Sequence, residues 1–445
     1  MATAKKGPTK KTGSAKKGGS EATPDSQPKQ SASVPDDAAA KVEIAGFSDK
    51  IRLGNEGGAL FAKAAGLAVI ALGASAALGA TQGDGFRRWS HGYLVGYAVA
   101  LAITAGSLFW VILQNLVNAR WSVAVRRMGE LFAANMPLLG VLSLPLVLPV
   151  MMGSPLIYEW ADKAKVASDH LLHHKSGYLN ANFFLIRMLF YFGFWTVLAR
   201  FYLGSSRRQD ETGGPEIVPS MNRISGPAMI VFALTLTFCA VDLIMSVDAR
   251  WFSTMFGVYF FASCVLCVHA TLILALMWVQ KKGRLAKSIT AEHYHDLGKM
   301  MFAFVIFWAY VGFSQFMLIW YANIPEETAW FKLRFAGGWG NVAWTLVFGH
   351  FVIPFFGLLS RHIKRSRTAL AFWCFYILAM VYIDMYWLVL PSIDADAPNV
   401  QAMDILAALG LLSALVAGAA REAGKKNLIP TKDPRLSQSL AFENI

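Results

Sequence analysis

From Gly57 onward the apolar residues gather in unbroken runs of about 20, the length that crosses a hydrocarbon core at about 1.5 Å of helical rise per residue. Ten such runs follow one another, at 58–80, 93–117, 130–152, 182–203, 226–247, 254–279, 298–321, 341–360, 368–390 and 400–420. The pattern predicts an all-α integral membrane protein of about ten transmembrane helices, with a membrane domain over 57–420 and a tail over 421–445. Residues 1–50 break it: they are rich in Lys, Ala, Ser, Gly and Pro and hold no apolar run, so they read as a disordered basic arm. No apolar stretch follows the early lysines until about residue 58, which argues against a signal peptide.

Composition agrees with the pattern. Hydrophobic residues make up 55% of the 445, mean hydropathy is +0.43, and only 16% are charged, against roughly 25% in soluble chains. The net charge of +13 is unevenly spread. With the N-terminus inside, 29 Lys and Arg fall in the arm, inner connections and tail, and eight in the outer connections. Both termini are therefore expected in the cytoplasm. The positive charge is topology and attraction to the inner leaflet, not a nucleic-acid patch.

Polar residues inside the runs carry the candidate chemistry. In the fifth run Thr235, Cys239, Asp242 and Ser246 share one helical face. An ionised carboxylate at membrane depth costs roughly 2.5–3.5 kcal/mol, so Asp242 requires a partner, a proton or a task. Arg187 enters the fourth run at about the same depth, which offers a fixed ion pair; the other reading is a carboxylate that passes protons. In the seventh run Lys299, Tyr310, Ser314 and Tyr321 return to one face and form a stripe along the whole span. Asp384 stands as far into the ninth run as Asp242 does into the fifth, suggesting that helices two to five and six to nine are related bundles. Asp404 reads as interfacial, and Arg200 and Lys63 as side chains that snorkel from the ends of their spans.

The segment "CVLCVH" misses the covalent haem motif, because Val268 separates Cys267 from His269. Cys239, Cys264, Cys267 and Cys374 all fall within runs and read as small packing residues, and no metal site is expected. His269 and His350 are the mid-membrane pair that a b-type haem would need. The outer connection "ANIPEETAWFKLRFAGGWGN" suits either a partner protein or an aromatic belt in lipid.

The strings "AVDLIMSVDARWFSTMFGVYFFA" and "HDLGKMMFAFVIFWAYVGFSQFMLIWYANIPEETAWF", with "SHGYLVGYAVALAITAGSLFWVILQNLVNARWSVAVRR", closely resemble the ActF-type, NrfD (polysulfide-reductase-like) membrane subunit of bacterial alternative complex III. The resemblance spans roughly 57–420. It implies two four-helix bundles flanked by the first and last helices, in a bacterial inner-membrane quinol:cytochrome c oxidoreductase. It also implies an NrfD-like sister subunit, an iron–sulfur protein and periplasmic cytochromes as partners. The sister subunit would be the better candidate for quinol oxidation; this one would be quinone-associated, without a covalently bound cofactor, and would conduct protons. By matching positions, Asp242, Asp248, His269, Lys299, Tyr310, Ser314, His350 and Asp384 are the residues implied for a proton path. Three other readings stand beside it: a quinol-oxidising cytochrome b using His269 and His350, an autonomous secondary transporter, and a purely structural anchor.

Overall fold

The computed structural model describes residues 49–424 and 426–443, and these contain no strand. Ten helices in them are long and apolar enough to cross a membrane: α1 Asn55–Ala80, α2 Arg87–Leu116, α3 Val123–Met151, α4 Ala181–Thr212, α5 Ile217–Leu243, α6 Phe256–Lys281, α7 Ala291–Ala322, α8 Gly337–Leu359, α9 Arg367–Ser392 and α10 Ala402–Ala423. The first and last described segments meet on one face, here the terminal face, where the Leu428 N–H donates to the Ile51 carbonyl at 2.8 Å. Of the arm expected to be disordered, residues 1–48 lie outside the described residues, but Asp49 is docked. Its carboxylate accepts from the backbone N–H groups of Lys287 and Ser288, both at 2.7 Å.

Helix α2 is the axis of the molecule, with 94% of its apolar stretch buried against 22% for α1. Small residues let the backbones come close, as membrane helices do when packing rather than water drives association. A Cβ at Gly106 would lie 2.2 Å from the Cys264 carbonyl oxygen, so α2 and α6 cross there in direct contact. Helix α2 packs on α3 and α5, which both contact α4; α6 packs on α7 and α9, which both contact α8. Helix α10 joins α1 to α2.

Two helices depart from regular geometry, each at a proline. Helix α3 consists of three pieces, Val123–Ala133, Met136–Leu142 and Leu144–Met151, with Pro137 and Pro145 beside the breaks and Pro149 inside the last piece. In α8 the turn Leu346–Val352 widens to a π-helix around His350. Pro354 follows four residues later, where it has no N–H for the His350 carbonyl and its ring crowds that oxygen.

Several sequence expectations need correction at the two faces. Arg126 and Arg127, read as inner-loop charges, lie buried inside α3. Arg126 pairs with Glu130 at 3.1 Å and Asp433 at 2.9 Å, and Arg127 with Asp210 at 2.9 Å. The tail folds back across the terminal face to supply Asp433, while Ser439 donates to the Trp121 carbonyl at 2.5 Å. Burial opposes ionisation of Asp433, but hydrogen bonds from Arg435 and the nearby Arg126 charge outweigh it and hold its pKa down at about 2. Asp404, read as interfacial, is fully buried and bound by both terminal nitrogens of Arg88, at 2.8 and 2.7 Å. Gly92 makes room for that pair, since a Cβ there would lie 2.0 Å from the Asp404 carboxylate.

Candidate functional site

The polar face foreseen on α5 is internal: Thr235, Cys239, Asp242 and Ser246 are all buried. Asp242 meets Arg187 of α4 side by side, with Nε to Oδ2 at 2.8 Å and Nη2 to Oδ1 at 2.9 Å. The Tyr191 hydroxyl donates to Oδ2 at 3.0 Å. Arg187 also donates to the Tyr178 carbonyl at 2.9 Å, and its guanidinium lies 3.8 Å from the Tyr178 ring centroid. Every part of the arginine is thus committed, and the paired charges behave as one neutral, oriented unit. Asp248 sits on the short 3-10 turn beyond α5, half-buried, and takes the Arg250 backbone N–H at 3.3 Å.

Asp384 on α9 has different company. It is fully buried, and its partners among the described residues are all neutral: the Tyr259 hydroxyl at 2.5 Å, the Trp308 indole N–H at 3.1 Å and, more loosely, the Ser263 hydroxyl at 3.5 Å. The Trp308 ring also lies against His350, with centroids 4.0 Å apart. His350 is fully buried, and among the described residues neither of its ring nitrogens has a hydrogen-bond partner. Two titratable groups therefore flank one indole, joined by the π-turn that aims His350 inward. Leaving a buried polar atom unpaired costs about 1–3 kcal/mol, and such atoms in a native fold call for an explanation.

A buried cation stands near this acid without joining it. Arg334, on the short helix Pro325–Phe335, donates to the Leu388 carbonyl at 2.7 Å, one turn beyond Asp384 on α9. It lies 3.6 Å from the Trp330 ring centroid and, among the described residues, forms no ion pair. Burial lowers its pKa. The aromatic connection that carries it folds back on the protein: Trp330 stacks on Trp251 at 4.1 Å, and Trp330, Phe331 and Trp339 are buried.

The stripe foreseen on α7 exists as a face, but that face points outward. Lys299, Tyr310 and Tyr321 are exposed and Ser314 is half-buried, while Met301, Val305, Trp308, Val311 and Gln315 line the inner side. Lys299 pairs with Asp296 one turn away. The stripe does not line the interior of this chain, because the apolar side of α7 and Trp308 turn inward to fill the space against α6 and α8.

His269 is central on α6, its Nδ1 bonded to the Val265 carbonyl at 2.7 Å and its ring 5.1 Å from Trp110. From it toward the terminal face runs a group of buried polar atoms without partners among the described residues: His269 Nε2, Trp110 Nε1, Gln114 Oε1, Asn115 Oδ1 and Ser122 Oγ. Sites of this polarity are ones that buried water satisfies. The rings of His269 and His350 pack on different partners, Trp110 with Phe304 and Trp308 respectively. That arrangement gives a bis-histidine haem no support. Tyr259, Ser263 and Trp308 were not singled out in the sequence, where single hydroxyls and indoles in apolar runs carry no periodic signal.

No protein-family model matches the chain, and no curated protein matches it.

Proposed function

We propose that the chain is a proton-handling membrane subunit of a quinol:cytochrome c, or other acceptor, oxidoreductase in a bacterial inner membrane. Electrons travel through other subunits. The observation that carries the reading is Asp384, a fully buried carboxylate that among the described residues is bonded only to neutral donors and is separated by one indole from an unpartnered histidine. No permanent countercharge locks its protonation state, whereas Arg187 locks that of Asp242. Two half-routes follow. One enters from the face opposite the chain ends through Tyr259 and Asp384 to His350; the other climbs from the terminal face along Ser122, Asn115, Gln114 and Trp110 to His269. The sets α2–α5 and α6–α9 are the two four-helix bundles of this reading, with α1 and α10 flanking them. The basic terminal face is cytoplasmic.

A quinone ring needs directional hydrogen bonds. The apolar cleft of about 380 Å³ bounded by Leu53, Met128, Phe132, Thr271 and Trp278 offers it one hydroxyl, that of Thr271. Quinol chemistry is accordingly assigned to the sister subunit, and the exposed Lys299–Tyr321 face of α7 suits contact with a neighbouring membrane subunit. The deciding experiment replaces Asp384 by Asn in the intact complex. A lowered proton-to-electron ratio with assembly and electron transfer retained supports the reading; an unchanged ratio refutes it. Co-purification of the tagged chain with iron–sulfur and cytochrome subunits tests the assignment to a complex, and isolation of a chain that transports when reconstituted alone refutes that assignment.

A further inference from the structure

Among the basic residues of the terminal face, Arg200 and Arg421 share a place that charge bias does not explain. Each is the twentieth residue of its helix counted from Ala181 or Ala402, so each sits about 30 Å from the opposite face, at the edge of a hydrocarbon core. Both are exposed, and among the described residues neither makes a hydrogen bond or an ion pair. Either alone is an ordinary snorkelling side chain. Together they line one cleft of about 440 Å³ between the α1–α10 pair and helices α3 and α4.

The rest of that cleft is almost wholly apolar, walled by Phe61, Ala65, Val69, Leu72, Pro137 and Leu138. It exists because α3 breaks at Asn135 and because α1 is held chiefly by α10. The Asn135 amide donates to the Leu415 carbonyl at 3.1 Å and floors the cleft; Gly418 permits this, since a Cβ there would lie 1.9 Å from the Asn135 oxygen. Glu422 also borders the cleft, but its carboxylate is engaged by Arg207 at 2.9 Å. The volume falls within the range of small-molecule sites. A groove with an apolar body and two uncommitted guanidinium groups at headgroup height matches one class of ligand.

We infer that this cleft binds an anionic phospholipid of the terminal-face leaflet, its phosphate held between Arg200 and Arg421 and one acyl chain lying along Phe61, Val69 and Leu138. The site is independent of the proton-handling reading. Guanidinium groups engage phosphate oxygens through two parallel N–H donors, and the bilayer supplies the ligand at high local concentration. A lipid here ties α1 to helices α3 and α4, where its protein contacts are sparse.

The test uses the full chain purified in neutral detergent, with phosphatidylglycerol and phosphatidylcholine of matched acyl chains added, read by native mass spectrometry and by thermal unfolding. Phosphatidylglycerol is expected to remain bound and raise the unfolding temperature, and phosphatidylcholine to do neither. Removing both charges, Arg200→Gln with Arg421→Gln, is expected to weaken phosphatidylglycerol binding roughly thirtyfold. The control Arg208→Gln with Arg223→Gln, two exposed basic residues that do not line the cleft, is expected to keep it. Ala65→Phe fills the groove with both charges in place; it is expected to abolish binding, and it carries the test if the arginine variant does not purify. Equal binding of the two lipids overturns the proposal, as does undiminished binding in the arginine variant or equal loss in the control. Stabilisation by inorganic phosphate that Ala65→Phe leaves intact identifies an ion site instead and also overturns it.

Discussion

Asp242 and Asp384 occupy comparable helices, α5 and α9, each ending in a 3-10 turn at the face opposite the chain ends. Each has a buried arginine nearby. In the first set of helices the two charges close on each other through two bonds, at 2.8 and 2.9 Å. In the second they are kept one turn apart, Asp384 on Tyr259 and Trp308, Arg334 on the Leu388 carbonyl and the Trp330 ring. The same ingredients thus make a strut in one place and an uncompensated acid in the other. Closed pairing removes a carboxylate from chemistry, because losing the proton partner or the cation leaves a bare charge in a low-dielectric interior. Separation keeps the acid available to exchange a proton, with Tyr259 as its nearest hydrogen-bond partner.

The contrast breaks most sharply under mutation of the strut. Asp242→Asn strands the Arg187 cation and should cost about 3–5 kcal/mol of stability. Adding Arg187→Gln should restore most of that loss in thermal unfolding of the purified chain. If the double variant is no more stable than the single one, the pair is not the source of the cost. The tail network comes next: Asp433→Asn should cost about 2 kcal/mol, from a carboxyl pKa held at about 2 against an ordinary 3.8. Since the folded value is the lower one, this contribution is complete above about pH 4 and is lost as pH falls through 2. Limited proteolysis after Lys432 and Arg435 should therefore report a docked tail at neutral pH that is released only in strong acid, and earlier in the variant.

Asp384→Asn should change stability by less than about 1 kcal/mol, because no cation is stranded: the amide oxygen takes the Oδ2 place and accepts from Trp308, and the NH2 takes the Oδ1 place and donates to the Tyr259 hydroxyl, which turns to accept. Under the proposed function its effect falls on proton coupling instead. A destabilisation as large as that of Asp242→Asn would erase the distinction between the two acids. Smallest of all is His350→Phe, which removes two unpartnered nitrogens and keeps a ring against Trp308; stability should stay level or rise within about 1 kcal/mol. A marked loss would mean that the imidazole makes a bond essential to the fold.

Much of this was legible in the chain. The apolar runs gave ten helices, although polar extensions escaped them: α4 continues to Thr212 and α5 begins at Ile217, beyond the apolar 182–203 and 226–247. Those ends are helical because they pack beneath the folded tail, where Asp210 binds Arg127 and the Thr431 N–H. The Thr235–Ser246 face followed from spacing, and the partnership of Asp242 with Arg187 was one of the two readings that depth left open. The environment of Asp384 did not, since its donors come from α6 and α7, more than 70 residues away in the chain.

The sequence by itself determined which apolar stretches must be helical, because a backbone in hydrocarbon has to satisfy its own hydrogen bonds whatever its neighbours are. It also determined, through the spread of Lys and Arg, an expected orientation. Only the tertiary structure decided which polar faces turn inward. Periodicity aligns residues on one side of a helix but does not say which side meets protein, and in a bilayer lipid is as apolar as the core, so hydrophobicity cannot tell the two apart. The α5 stripe is buried and the α7 stripe is exposed for that reason. Whether a buried acid closes on a cation or meets neutral donors was likewise decided by contacts across the bundle, where α4 brings Arg187 onto Asp242 and the Leu388 carbonyl and Trp330 hold Arg334 off Asp384.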